Sequence, residues 1–413
     1  MKLRTFKVFF IAILVIFFTF PSYCDDEDLD DTSFISIDVS SDATKVPIVN
    51  ARHAVVFDRS SKHVIFGKEE NEKCKMASTT KIMTAIIVIE NANLEDVVKV
   101  SSKAARTGGS RLGLSANDTI TVENLLYGLM MKSGNDAAVA LAEHVSGSVE
   151  SFSFMMNSKA KDLGLCSTNF VTPHGLDNDD HYTTAFELAF LADYALKNEV
   201  FSKIVKTKTY TIYLNGHTKT LNNTNELLGN LDGIYGVKTG FTNGANRCLV
   251  TSCKRGNLDI ICVVLGCDTK KDRTTDSVKL INYTFKNFSL VNIKDVLIKD
   301  FNDWVLTHKD SFTINKGVTH SLYLYLDESD FDFSHAAVNN SELKSISTNV
   351  TFDAYFEAPV YKGTKIGEIS LYVGDTNYLS IDILSKNTIY KKNFSYYIFN
   401  ILKNFNIFFM AYE

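Results

Sequence analysis

The chain has 413 residues, 45% of them hydrophobic and 22% charged, so it carries enough apolar mass to bury one large core and a smaller second one. Its formal net charge is -5 and its basic residues form no strong cluster, which excludes nucleic acid as the expected partner. The 9 histidines are dispersed and no Cys-x-x-Cys or His-x-x-x-His spacing occurs, so no metal site is expected.

Lys2, Arg4 and Lys7 precede an apolar run over residues 8–20, and Ser22 and Cys24 then occupy the positions a signal peptidase reads. This pattern predicts a signal peptide over residues 1–24 and an exported protein, since the run is short for a membrane-spanning anchor. An acidic block, residues 25–31, opens a solvated spacer that runs to residue 45. Export permits disulfides among the six remaining cysteines, but free thiols are expected. Cys248, Cys253, Cys262 and Cys267 lie in strand-like apolar segments of a domain large enough to need no staple.

Residues 54–57 and 63–66 read as a hairpin. A helix over 79–90 follows, with Ile82, Ala85, Ile86 and Ile89 on one face and Ser78 at its start. Segments 122–131, 137–145 and 185–196 are apolar and helix-favouring, which predicts a helical lobe inserted between strands. The sheet resumes at 210–214 and 217–221, flanking Asn215-Gly216, and at 248–253 and 258–265, and a helix over 273–288 closes the unit. Together these predict an α/β catalytic domain over residues 46–290. Strand-like segments at 321–326, 350–356 and 366–373 then predict a second, all-β domain over 291–388. The last segment, 389–413, is amphipathic. Phe394, Tyr397, Ile398, Ile401, Leu402, Phe405 and Phe408 share a helical face opposite Lys392, Asn393, Asn400, Lys403 and Asn404, so the helix is expected to lie in a membrane surface. The alternative is a helix docked on its own β domain.

Three short runs carry the chemistry. Ser78-Thr79-Thr80-Lys81 places a lysine one helical turn from a serine, which needs a base within reach to become a nucleophile. The helix start also turns the Ser78 N–H toward a developing oxyanion. For Lys81 to act as base it must be partly neutral, which burial and a second cation such as Lys238 would promote. Ser133-Gly134-Asn135 falls between two helices, where a loop presents two polar side chains to a cleft. Lys238-Thr239-Gly240 ends a strand, and its cation and hydroxyl suit a carboxylate ligand. Each run alone reads as an N-cap, a turn or a strand end, so the inference rests on their order and local structure.

With those runs stand Pro173-His174-Gly175-Leu176-Asp177, Gly236-Val237-Lys238-Thr239-Gly240-Phe241-Thr242 and Ala358-Pro359-Val360-Tyr361-Lys362-Gly363. Through them the chain resembles the low-molecular-mass penicillin-binding proteins of the D-alanyl-D-alanine carboxypeptidase family, along nearly all of its expected mature length. The resemblance implies a β-lactamase/DD-peptidase-like fold, an antiparallel sheet with helices on both faces. It implies a peptidoglycan stem peptide as substrate, β-lactams as covalent inhibitors and no cofactor, and the export signal with the amphipathic tail puts that chemistry on the outer face of the bacterial cytoplasmic membrane. It assigns Ser78 as nucleophile, Lys81 as base and Ser133 as proton relay. Asn135, Lys238, Thr239 and Gly240 would bind substrate, and the N–H groups of Ser78 and Phe241 would form the oxyanion hole. Two departures stand out. Gly134 occupies a position that is Asp in class A β-lactamases, and Thr224 stands where some members have a carboxylate-binding arginine, with Arg247 as the candidate replacement. A β-lactamase would need a carboxylate to clear its acyl-enzyme, and Glu226 echoes one but lies close to Lys238 in sequence. A catalytically inert wall protein of the same fold is the other alternative.

Overall fold

The computed structural model describes residues 45–214, 216–308, 310–327 and 334–410. The expected signal peptide, residues 25–44 of the spacer, and Asn215 of the expected turn lie outside the described residues.

A five-stranded antiparallel sheet organises the first domain, in the order Val64–Lys68, His53–Asp58, Leu258–Cys267, Asn246–Arg255, Ile234–Thr242. Because side chains alternate across a strand, the sheet has two apolar faces. Val55, Phe57, Val250, Ile261 and Val263 pack under the helical lobe, whereas Ala54, Val56, Leu249, Ile260 and Val264 pack under the helix Lys270–Asn287. Each large side chain so buried contributes roughly 2 kcal/mol.

The helix Lys81–Asn91 runs through the lobe, buried from Lys81 to Val88, which is why its residues are apolar on nearly every side. The helices Val122–Met131, Asn135–Ser146 and Ala185–Leu196 surround it. Thr121 and Thr184 cap two of these by accepting from the N–H of Asn124 and Glu187. The expected hairpin around Gly216 is present as Thr209–Leu214 paired with His217–Asn222, but it forms a separate two-stranded sheet and does not resume the main one as expected. All six cysteines among the described residues are free thiols.

Further expectations need correction. The Lys238-Thr239-Gly240 run does not end its strand, which continues to Thr242. The closing helix begins earlier, at Lys270, capped by the Thr269 side chain, and stops at Asn287. Phe288 instead opens the strand Phe288–Asn292, which pairs with His335–Asn339, so the expected boundary near residue 290 falls inside a strand. The second domain is not purely β. A 16-residue helix, Ile293–His308, buries Ile293, Leu297 and Phe301 at i, i+4, i+8 against the sheet strands Lys365–Val373 and Thr376–Ser385.

Candidate active site

Ser78 sits in a short 3-10 turn, Ala77–Thr80, that leads directly into the helix Lys81–Asn91. Ala77 enters the turn at φ 48°, a left-handed conformation that costs an alanine on the order of 1 kcal/mol. Hydrogen bonds hold it there: Thr79 Oγ1 donates to Met76 O at 2.6 Å and Thr80 Oγ1 to Ala77 O at 2.8 Å. Gly175, at φ 86°, presses on the same carbonyl, and a Cβ there would fall 2.0 Å from Ala77 O. Only glycine fits.

One turn further, Lys81 is fully buried and its Nζ donates to Ser78 Oγ at 2.8 Å, Asn135 Oδ1 at 2.7 Å and His174 O at 2.9 Å. Those bonds use three N–H groups, the complement of an ammonium, and knit the nucleophile turn to two other segments. Asn135 is itself fixed, since its N–H donates to Ser110 O at 2.8 Å and its Nδ2 to Gly108 O at 2.7 Å. Beside it the buried Asp136 carboxylate accepts from the N–H groups of Leu112, Gly113, Leu114 and Ala137, all within 2.9 Å. A side chain at Gly134 would meet Asp136 Oδ1 at 2.9 Å and Leu112 N at 3.0 Å, so an aspartate would not fit there.

Ser133 adopts φ 57° and is 6% exposed, and its Oγ is buried with no hydrogen-bond partner among the described residues. Leaving such a hydroxyl unpaired costs ~1–3 kcal/mol, which a bound ligand able to pair with it would recover.

The strand Ile234–Thr242 is the edge of the sheet, and Lys238 and Thr239 on it are buried. Lys238 Nζ donates to Thr239 O at 3.0 Å, and Thr239 Oγ1 lies 2.8 Å from Thr224 Oγ1. Gly240 faces the nucleophile: a Cβ would sit 3.1 Å from Ser78 N and 3.2 Å from Ala77 Cβ. The missing side chain lets the strand lie on the turn. Thr242 Oγ1 and Gly244 N then donate to the Asp177 carboxylate at 2.7 and 2.9 Å, tying the strand end to the His174 loop. The Arg247 guanidinium lies on the Phe241 ring, 3.8 Å from its centre.

Both nearby imidazoles are held neutral. Burial, with the Lys81 charge adding to it, pushes His174 down to about 3, and burial pushes His181 down to about 4. Glu226 is engaged elsewhere. Burial opposes its ionisation, but Arg273, Thr274 and Lys270 of the helix Lys270–Asn287 hold its pKa below the usual range, with Arg273 at 3.2 Å and Lys270 at 3.1 Å. That helix covers the sheet face opposite the one under Ser78's helix.

Ser78, Lys81 and Asn135 thus form one hydrogen-bonded unit with Gly240 against it, while Ser133 directly precedes the Gly134-Asn135 turn and Lys238 and Thr239 precede Gly240 on the strand. The three motifs carry no role for the His174 carbonyl, Asp136, Asp177 or His181. The one available signal is glycine placement, because Gly175 and Gly109 both take φ values above 80° next to site residues.

The family model described as D-alanyl-D-alanine carboxypeptidase matches residues 40–269, and that described as penicillin-binding protein 5, C-terminal domain, matches residues 312–391. The D-alanyl-D-alanine carboxypeptidase DacF of Bacillus subtilis is 35% identical over 329 residues, 78% of this chain and 81% of its own length. DacC of Escherichia coli, also named a D-alanyl-D-alanine carboxypeptidase, is 34% identical over 343 residues, 79% of this chain and 80% of its own. The crystal structure of penicillin binding protein 5 from Haemophilus influenzae superposes with a TM-score of 0.69 at 27% identity, covering 84% of this chain and 99% of that one.

Proposed function

This chain belongs to the D-alanyl-D-alanine carboxypeptidase family and is a serine-type peptidase of it, and from that premise we propose how its residues divide the reaction. Ser78 Oγ attacks the carbonyl between the two terminal D-alanines of a peptidoglycan stem peptide. Lys81, after the resting ammonium has lost the proton it shares with Ser78, keeps its two remaining N–H groups on Asn135 Oδ1 and the His174 carbonyl and takes the serine proton on its freed lone pair. The N–H groups of Ser78 and Phe241 receive the oxyanion. As the C–N bond breaks, the Ser133 hydroxyl relays a proton to the departing amine, which leaves as D-alanine. Water then cleaves the ester and restores Ser78. Asn135 holds the substrate amide, and Lys238 and Thr239 take its terminal carboxylate, with Gly240 giving the clearance for that approach.

The observation that carries this reading is Lys81 Nζ, 2.8 Å from Ser78 Oγ and 2.7 Å from Asn135 Oδ1 in a fully buried position. The engagement of Glu226 with Arg273 and Lys270 speaks against a β-lactamase, which would need that carboxylate at the acyl-enzyme. The purified protein is expected to release D-alanine from a pentapeptide ending in D-alanyl-D-alanine and to take up fluorescent penicillin covalently. Ser78→Ala is expected to lose both, the turnover by roughly a thousandfold or more. Covalent label on that variant would remove Ser78 from the role.

The same reading puts the protein outside the cytoplasm, with residues 1–24 as export signal and the helix Phe394–Met410 lying on the outer face of the cytoplasmic membrane. Its support is the exposure of Phe394, Tyr397, Ile398, Phe399, Ile401 and Leu402, which argues against docking on the β domain. The Phe405 and Phe408 side chains lie outside the described residues. No helix among the described residues is long and apolar enough to cross a membrane.

A further inference from the structure

Thr224 is held between two asparagines that fix its backbone. On one side Asn223 Nδ2 donates to the carbonyls of Val205 at 3.2 Å and Thr207 at 3.0 Å, at the end of the helix Glu199–Val205. On the other, Asn225 Nδ2 donates to Gly236 O at 2.9 Å, near the start of the edge strand that carries Lys238. Bracketed in this way, the Thr224 hydroxyl stands 2.8 Å from Thr239 Oγ1.

Two hydroxyls at that distance share one proton between them, and the second proton points elsewhere. If Thr239 donates, its oxygen shows only lone pairs to the site. If Thr224 donates, the Thr239 O–H is available to a ligand. A carboxylate accepts and never donates, so it selects the second arrangement, and the donated bond from Thr224 polarises the Thr239 O–H further. We propose that Thr224 is a positioning residue for the terminal carboxylate, turning the Thr239 proton toward it through a two-hydroxyl chain. This rests on the reading of Thr239 as a carboxylate donor.

The test uses Thr224→Val, which removes the hydroxyl and little else, with kcat and KM measured separately on an acylated peptide ending in D-alanyl-D-alanine and on its C-terminal amide. On the free acid KM is expected to rise roughly tenfold while kcat stays within about twofold, as for a group that binds ground and transition states alike. The amide should respond little, and Thr224→Ser should restore the free-acid KM. An unchanged KM on the acid, equal losses on acid and amide, or failure of the serine variant to restore binding would each overturn the proposal. Thr239→Val separates the two levels of argument. If it too leaves the acid KM alone, the assignment of Thr239 falls; if it raises KM while Thr224→Val does not, only the role of Thr224 falls.

Discussion

His181 accepts the Val171 N–H on Nδ1 at 2.9 Å, which leaves Nε2 as the protonated nitrogen and makes it the donor to Thr80 Oγ1 at 2.8 Å. Thr80 in turn donates to the Ala77 carbonyl, so a neutral imidazole steadies the left-handed residue next to the nucleophile. A second proton on His181 would sit at Nδ1, facing the Val171 N–H. His174 is equally tied to one state, since its Nδ1 accepts from Leu176 N at 3.2 Å. In the unfolded chain both rings take a proton near pH 6.5, whereas in the fold they resist until about 4 for His181 and about 3 for His174. Below pH 6.5 the unfolded state therefore binds more protons than the native state, and stability falls as pH falls. Each ring contributes a slope of about 1.4 kcal/mol per pH unit between roughly pH 6 and 4.5. Urea unfolding across that range is expected to show at least the combined slope of these two rings, with partly buried His63 adding in the same direction, and His181→Gln to remove one ring's share while keeping a donor for Thr80. An unaltered slope in that variant would mean that another group titrates.

At the scale of elements, the site is a seam where three segments meet, and Asp136 fastens one of them. Its carboxylate accepts three N–H groups from residues 112–114 and one from Ala137, at a fully buried position. The same loop supplies the Gly108 and Ser110 carbonyls that position Asn135. Asp136→Asn turns one acceptor oxygen into an amide that faces donors, and is expected to cost about 3 kcal/mol in urea unfolding and to slow acylation by penicillin. A loss below about 1 kcal/mol would show that the loop holds itself. The sequence makes the carriers of this seam visible, because Ser78 stands where a helical apolar pattern starts, Asn135 where one breaks between two helices, and Lys238 in an extended run flanked by Gly236 and Gly240. It hides the fasteners. An aspartate that binds N–H groups 22 to 24 residues away, or a glycine that clears a carbonyl nearly a hundred residues away, leaves no periodic trace. The helix Ile293–His308 escapes for a different reason: its apolar positions are interleaved with Lys294, Asp295, Lys299 and Asp300 in a stretch flanked by strand signals, so period 2 wins by context.

At the scale of the whole molecule, the second domain is bonded to the sheet that carries the site. The buried Asp58 carboxylate at the first hairpin accepts from Ser60 N, Ser61 N and Ser61 Oγ within its own turn, and from Ala337 N of the second domain at 3.0 Å. The His63 ring lies 4.8 Å from Tyr378 beside it. At its far end the second domain grips the root of the terminal helix, where Val318 N donates to Tyr390 O at 2.9 Å and Lys392 N to Lys316 O at 2.7 Å. Beyond that grip the apolar side chains of Phe394, Phe399 and Leu402 are at least 60% exposed. A helix so arranged is joined to the catalytic site only through a packed spacer, and its removal should leave Ser78 and its partners undisturbed. Each large apolar side chain moved out of water contributes up to about 2 kcal/mol, so a few of them partly inserted suffice for reversible attachment. The chain lacking residues 1–24 is expected to sediment with vesicles of phosphatidylethanolamine and phosphatidylglycerol, and the same chain lacking residues 394–413 as well to remain in the supernatant. Release of D-alanine from a soluble pentapeptide should stay within about twofold in the shortened chain, because the seam's hydrogen bonds join residues 76–81, 108–137, 171–181 and 238–244, all kept in it. Co-sedimentation that survives the truncation would move the attachment away from this helix, and a large loss of turnover would show that the spacer transmits more than position.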